Sequence, residues 1–227
     1  MKTKLITISF LLLISNFLQA QDHNVRSLGS FEKIEIKGIL EVNLTAGKKN
    51  KAEISMLNGN QGAIITEVID GTLYVKPKGN NDHIRAEIDI TYKKKIKSIK
   101  YSGFTNIKSS GKIRSKELVI IGGGAGLFTG DVNVKKLTIN HNGAGEVELS
   151  GKAKSVNVSL SGAADIDMTK TQTNHAHVSV SGAGDVKCWA TDMLNASVSG
   201  VGNIRYKGVP KDSKLNVSGF GEISSLQ

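Results

Sequence analysis

A glycine-centred corner recurs seven times from residue 103 onward in this 227-residue chain, and it constrains the fold more than any other feature. Aligned on that glycine, the copies read GFTNI at Gly103, GAGLF at Gly124, GAGEV at Gly143, GAADI at Gly162, GAGDV at Gly182, GVGNI at Gly200 and GFGEI at Gly219. Successive spacings are 21, 19, 19, 20, 18 and 19 residues. Such regularity marks a solenoid, in which one repeat cannot bury its apolar side but a stack of repeats can.

Each repeat carries two runs of period-two alternation, the pattern of a strand with one buried face. One run follows the corner, as in Glu146-Val147-Glu148-Leu149 and Asp165-Ile166-Asp167-Met168. The other precedes the next corner, as in Val156-Asn157-Val158 and Val178-Ser179-Val180. Polar turns such as Ser150-Gly151-Lys152 lie between them. The reading is an all-β chain, a parallel β-helix or β-roll-like solenoid with coils of about 19 residues. Val147, Ile166, Val186, Ile204 and Ile223 form one inward column, and Val158, Val178, Ala196 and Leu215 another. Cys188 shares the inward register with Met168 and Tyr206, which makes it a small core residue and not a reactive thiol. Glycine suits the corners because it turns sharply through positive φ and lets neighbouring backbones approach. Asn106, Glu146, Asp165, Asp185, Asn203 and Glu222 make a polar column beside the corners.

Residues 30–100 lack the clear period but remain strand material, with alternation over 31–36, 40–44 and 84–90. Asp70-Gly71 ahead of Thr72-Leu73-Tyr74-Val75 is a hairpin signal. These N-terminal strands are expected to extend or cap the stack, with 101–227 as the regular coils and 21–29 as a short tail. Residues 1–20 read as a signal peptide: Lys2 and Lys4 precede an apolar run that ends at Leu18-Gln19-Ala20. The expected destination is therefore the periplasm, the cell surface or the medium. Removing Lys2 and Lys4 reduces the net charge from +10 to +8. Such a balance suits anionic partners. A single cysteine excludes an internal disulfide.

Several chemistries compete for the GAGDV corner. A phosphate loop requires GxxxxGK[ST] and a dinucleotide fold requires GxGxxG ahead of a helix, and the chain has neither context. A calcium β-roll repeats every nine residues, so calcium at an Asp165–Asp185 ladder is only a minor alternative to solvated turn carboxylates. Outward acid pairs such as Glu146 with Glu148 would serve a polysaccharide-active enzyme, but any solenoid face presents similar pairs. His175 and His177 lie two apart on one strand face and lack a third ligand. His141 aligns with apolar Leu160, Val180 and Val198 and reads as a core histidine. No cofactor and no catalytic residue are expected.

Two surfaces remain as binding candidates. One is the lysine run Lys93, Lys94, Lys95 and Lys97, suited to an acidic polymer or simply a solubilised edge. The other is the flat face of Ser159, Ser161, Ser179, Ser181, Ser197 and Ser199, whose plainer reading is a solvated sheet. Aromatic content of 5% offers no ladder of rings for bases or sugars, and no nucleic acid partner is expected.

The Phe31-Glu32-Lys33-Ile34 entry, Gly38 before a strand, Asp70-Gly71-Thr72-Leu73 and the chain of SGAGD-type corners resemble the head GIN domain family of putative autotransporter adhesins, common in Bacteroidetes. The resemblance covers residues 30–225. It implies an exported, solenoid-like all-β domain, with no catalytic residues to carry over. The expected function is a non-catalytic module that binds a surface glycan or protein through its outer faces. Only Ser224 to Gln227 follow the last corner, so the expectation is a head without its membrane barrel. A self-associating envelope protein, including a homo-oligomer, is a further alternative.

Overall fold

A computed structural model describes residues 24–79 and 83–226. The signal-peptide reading of residues 1–20 and His23 lie outside the described residues. The described chain is nearly all-β, 70% strand, in one continuous sheet that winds through about six parallel turns.

The regular coils are β7 (Ser98–Gly122), β8 (Leu127–His141), β9 (Glu146–Leu160), β10 (Asp165–Val180) and β11 (Val186–Val198), each paired in parallel with the next. The last turn is split into β12 (Ile204–Lys207), β13 (Asp212–Val217) and β14 (Ile223–Ser225). The polar turns expected inside each coil are not breaks: Ser150-Gly151-Lys152 is part of β9 and pairs with Asp131, Val132 and Asn133. Parallel stacking continues through the bend because the neighbouring coil bends at the same level.

The inward columns align as the alternation requires. Val147 pairs with Ile166, Ile166 with Val186, Val186 with Ile204, and Ile204 with Ile223. On the other side Val158 pairs with Val178, Val178 with Ala196, and Ala196 with Leu215. Leu215 departs from the core expectation, being 45% exposed. It holds the inward register, but no described strand lies beyond β13 to cover it.

The first turn is assembled out of chain order. β2 (Lys33–Ala46) pairs with β7 on one side. On its other side it pairs in parallel with β5 (Thr72–Pro77) through its first half and with β6 (Arg85–Tyr92) through its second. The chain therefore lays down the second turn, leaves it, returns to build the turn beneath, and then crosses to the far side. The excursion forms a cap. β3 (Lys51–Met56) pairs antiparallel onto β6 and β1 (Asn24–Ser27) antiparallel onto β3, and β4 (Ile64–Ile69) pairs antiparallel onto β5. Asp70 and Gly71 turn that last hairpin with φ of 47° and 70°, the double positive φ that Asp-Gly favours.

The corner glycines form a column in which the dominant constraint is closeness. Of the seven, only Gly103 and Gly124 have positive φ. At Gly143, Gly162, Gly182, Gly200 and Gly219 an added methyl would fall well inside contact distance of the carbonyl oxygen one coil below. Gly38 begins the column, paired with Gly103. The residue after each glycine then donates its N–H to that carbonyl, as Ala163 does to Gly143 at 3.0 Å and Ala183 to Gly162 at 3.0 Å.

Candidate functional site

The lysine run lies in the 93–97 crossover between β6 and β7, the segment that carries the chain from the first turn past β2. Ile96 is buried and anchors it. The Lys97 N–H donates to the Glu32 carbonyl at 2.7 Å, and the Lys97 carbonyl accepts the Val119 N–H at 2.9 Å. The crossover is thus held as a rung between two coils, and its lysines project from a fixed backbone.

Beside it opens a groove of about 650 Å³. Its lining includes Lys33, Lys94, Lys95, Lys97 and Lys116, together with Glu32, Glu117, Ser98 and Ser115. Lys97 Nζ bonds Glu32 Oε2 at 2.6 Å. That hydrogen bond, with the nearby charges of Lys97, Lys94 and Lys33, holds the Glu32 carboxyl below the usual range despite the opposing effect of desolvation. Lys33, Lys94, Lys95 and Lys116 form no ion pair among the described residues. Lys93 does not line the groove; its N–H donates to Asn50 Oδ1 at 2.8 Å. Lys33 and Lys116 escaped the sequence reading because they lie far from the run, and only coil stacking unites them. Their signal was an exposed lysine at the same level of neighbouring coils.

The serine face is in register: Ser159 pairs with Ser179, and Ser179 with Ser197. Two of its hydroxyls donate hydrogen bonds to the neighbouring coil. Ser197 Oγ donates to Ser179 Oγ at 3.3 Å, and Ser181 Oγ to the Leu160 carbonyl at 3.4 Å. Ser161 and Ser199 are exposed at the corner.

The acids of the polar column serve the stack. Asp165 Oδ1 accepts the Asp185 N–H at 3.2 Å, and Asp185 Oδ1 accepts both the N–H and the Nδ2 of Asn203 at 3.0 and 2.9 Å. Among the described residues no group of three His, Cys, Asp or Glu is placed to hold a metal. A smaller hollow of about 290 Å³ brings Asp131, Glu148 and Asp167 together with Lys108 and Lys170. Burial raises the Asp167 carboxyl, but hydrogen bonds from the Thr169 hydroxyl and N–H together with the charges of Lys187 and Lys170 leave the group below its ordinary value. Asp131 pairs with Lys112 at 3.3 Å. Glu146 is pushed up, first by desolvation and then by Glu148 and the neighbouring aspartates.

His175 and His177 are exposed. His141 is buried, and its Nδ1 accepts the Gly143 N–H at 3.2 Å. The neutral ring therefore carries its proton on Nε2. Cys188 is buried too, and burial pushes its thiol up to about 12. A thiol so raised has almost no thiolate at neutral pH.

A capped stack of parallel coils with a basic groove near its N-terminal end defines the chain as a β-solenoid domain. The chain belongs to the family described as "Putative auto-transporter adhesin, head GIN domain", whose model matches residues 30–210. Among solved structures, it is similar to a putative adhesin from Bacteroides fragilis NCTC 9343, with 26% identity over 90% of this chain and 96% of that one and a TM-score of 0.84. A putative adhesin from Parabacteroides distasonis ATCC 8503 shares the fold at 20% identity, 90% and 96% coverage and a TM-score of 0.74. A putative lipid binding protein from the same strain shares it at 19% identity, 91% and 96% coverage and a TM-score of 0.70. The comparison with curated proteins returns no match.

Proposed function

We propose that this protein is an exported, non-catalytic adhesion module that holds a surface glycan or protein against the outside of its coils. The observation that carries the reading is the groove at the 93–97 crossover, where Lys33, Lys94, Lys95 and Lys116, none of them ion-paired among the described residues, face solvent around a crossover held by both flanking coils. Family membership and the Bacteroides fragilis adhesin at 26% identity support a binding role. The signal-peptide-like first twenty residues support export. Asp167 and Asp131 are held by Thr169 and Lys112, which supports a structural role for the acid hollow over a catalytic one. The test is adhesion of the purified protein to arrayed glycans and to immobilised extracellular proteins. Saturable retention on either supports the reading, and retention on neither overturns it.

A further inference from the structure

The groove's own chemistry narrows the ligand class. Lys33, Lys94, Lys95, Lys97 and Lys116 all line the groove that also holds Glu32, so five ammonium-bearing side chains share its walls. Two carboxylates, Glu32 and Glu117, cannot neutralise the five lysines, which leaves a positive surplus on the walls. A ligand that brings further anionic groups therefore gains charge-assisted contacts that the protein leaves unmade.

Shape and lining discriminate among anions. The volume, about 650 Å³, falls in the range of sites that enclose a small molecule or a few units of a polymer, and a concave wall does not match a flat bilayer. Among the described residues no Phe, Tyr, Trp or His lines the groove, so unstacked bases would find no ring there to lie on. Glu32 and Glu117 can accept hydrogen bonds from ligand hydroxyls, which a plain polyphosphate backbone lacks. A chain combining carboxylates or sulfates with hydroxyls satisfies both sets of groups.

We propose that the groove bounded by Lys33, Lys94, Lys95, Lys97 and Lys116 is a binding site for an acidic oligosaccharide, carrying uronate or sulfate groups along a sugar backbone. The inference rests on the adhesion reading and names its ligand class. Lys97 keeps Glu32 in place, and Lys94, Lys95 and Lys116 supply the contacts.

The test is calorimetric titration with oligogalacturonate and with heparin-derived oligosaccharide at low and moderate salt. It uses the full protein, a Lys94→Ala/Lys95→Ala/Lys116→Ala variant, and a Lys187→Ala/Lys207→Ala/Lys214→Ala variant carrying the same charge change on β11 to β13, at the other end of the stack. The expected result is saturable binding to at least one acidic oligosaccharide that weakens with salt, falls about tenfold or more in the groove variant and is retained in the distal one. Equal losses in the two variants would overturn the site in favour of diffuse charge attraction. Equal or tighter binding of single-stranded DNA would overturn the ligand class. Adhesion to neutral glycans or proteins with no uptake of acidic oligosaccharide would overturn this inference and leave the adhesion reading intact.

Discussion

Gly182 lies directly over the carbonyl of Gly162, and the Ala183 N–H donates to that same oxygen at 3.0 Å. One oxygen thus fixes both the spacing of the corners and their pairing. A Cβ at Gly182 would collide with that backbone atom, which has no side-chain freedom to yield.

Gly182→Ala is therefore expected to lose more than about 3 kcal/mol of stability. Gly29→Ala is the control, since its new methyl would meet Val68 only at ordinary contact distances. That change should stay within about 0.5 kcal/mol in urea unfolding. Similar costs for the two would mean that the corners can move apart.

The Asp185 carboxylate works as an acceptor for Asn203, so an amide oxygen should replace it. Asp185→Asn should unfold at nearly the wild-type temperature, whereas Asp185→Ala should lose about 1–2 kcal/mol. Millimolar calcium should leave the melting temperature unchanged. A rise that disappears in Asp185→Asn would show that the ladder holds the cation.

Burial lowers the pKa of His141 in the folded protein. The unfolded chain then binds a proton near the ordinary histidine value, about 6.5, before the folded chain does. Stability conferred by the neutral ring is complete above that pH and declines as the pH falls through this window, by at most about 1.4 kcal/mol per unit. His141→Leu, which matches Leu160 in the next coil, should flatten the dependence between about pH 5.5 and 7. An unchanged slope would assign it to other groups.

Protection of backbone amides should follow position in the stack. β13 is exposed throughout, with Leu215 and Val217 at 45% and 44%, whereas β8 to β10 are covered on both sides. Hydrogen exchange should be fastest in β13 and slowest in β9. Equal protection in both would require a second partner over the last turn.

The coils were legible because alternation repeats at fixed spacing, so Val147, Ile166, Val186 and Ile204 could be aligned by counting. Cys188 and His141 could be placed inside by the same count. The first turn resisted. The parallel pairing of Ile34 with Leu73 leaves no local trace, since neither residue's neighbours record which strand lies beside it. The groove was half legible: the run at 93–97 stands out as composition, but Lys33 and Lys116 reach it only through stacking. Corner glycines were readable as a need for glycine, but its cause, a carbonyl of another coil in place of a positive φ, belongs to the assembled stack.

The antiparallel cap closes one end of the sheet, so additional turns can be accommodated only on the side away from it. Each turn raises the stack by about 4.8 Å, the spacing of paired strands. A duplicated copy of residues 146–164 would offer its neighbours the same corner glycine, inward column and ladder carboxylate that they already meet. The distance between the lysine groove and the final strands would then grow in fixed increments while both ends kept their form. Height in this molecule is a counted quantity, adjustable by whole repeats without redesign of the surface it carries.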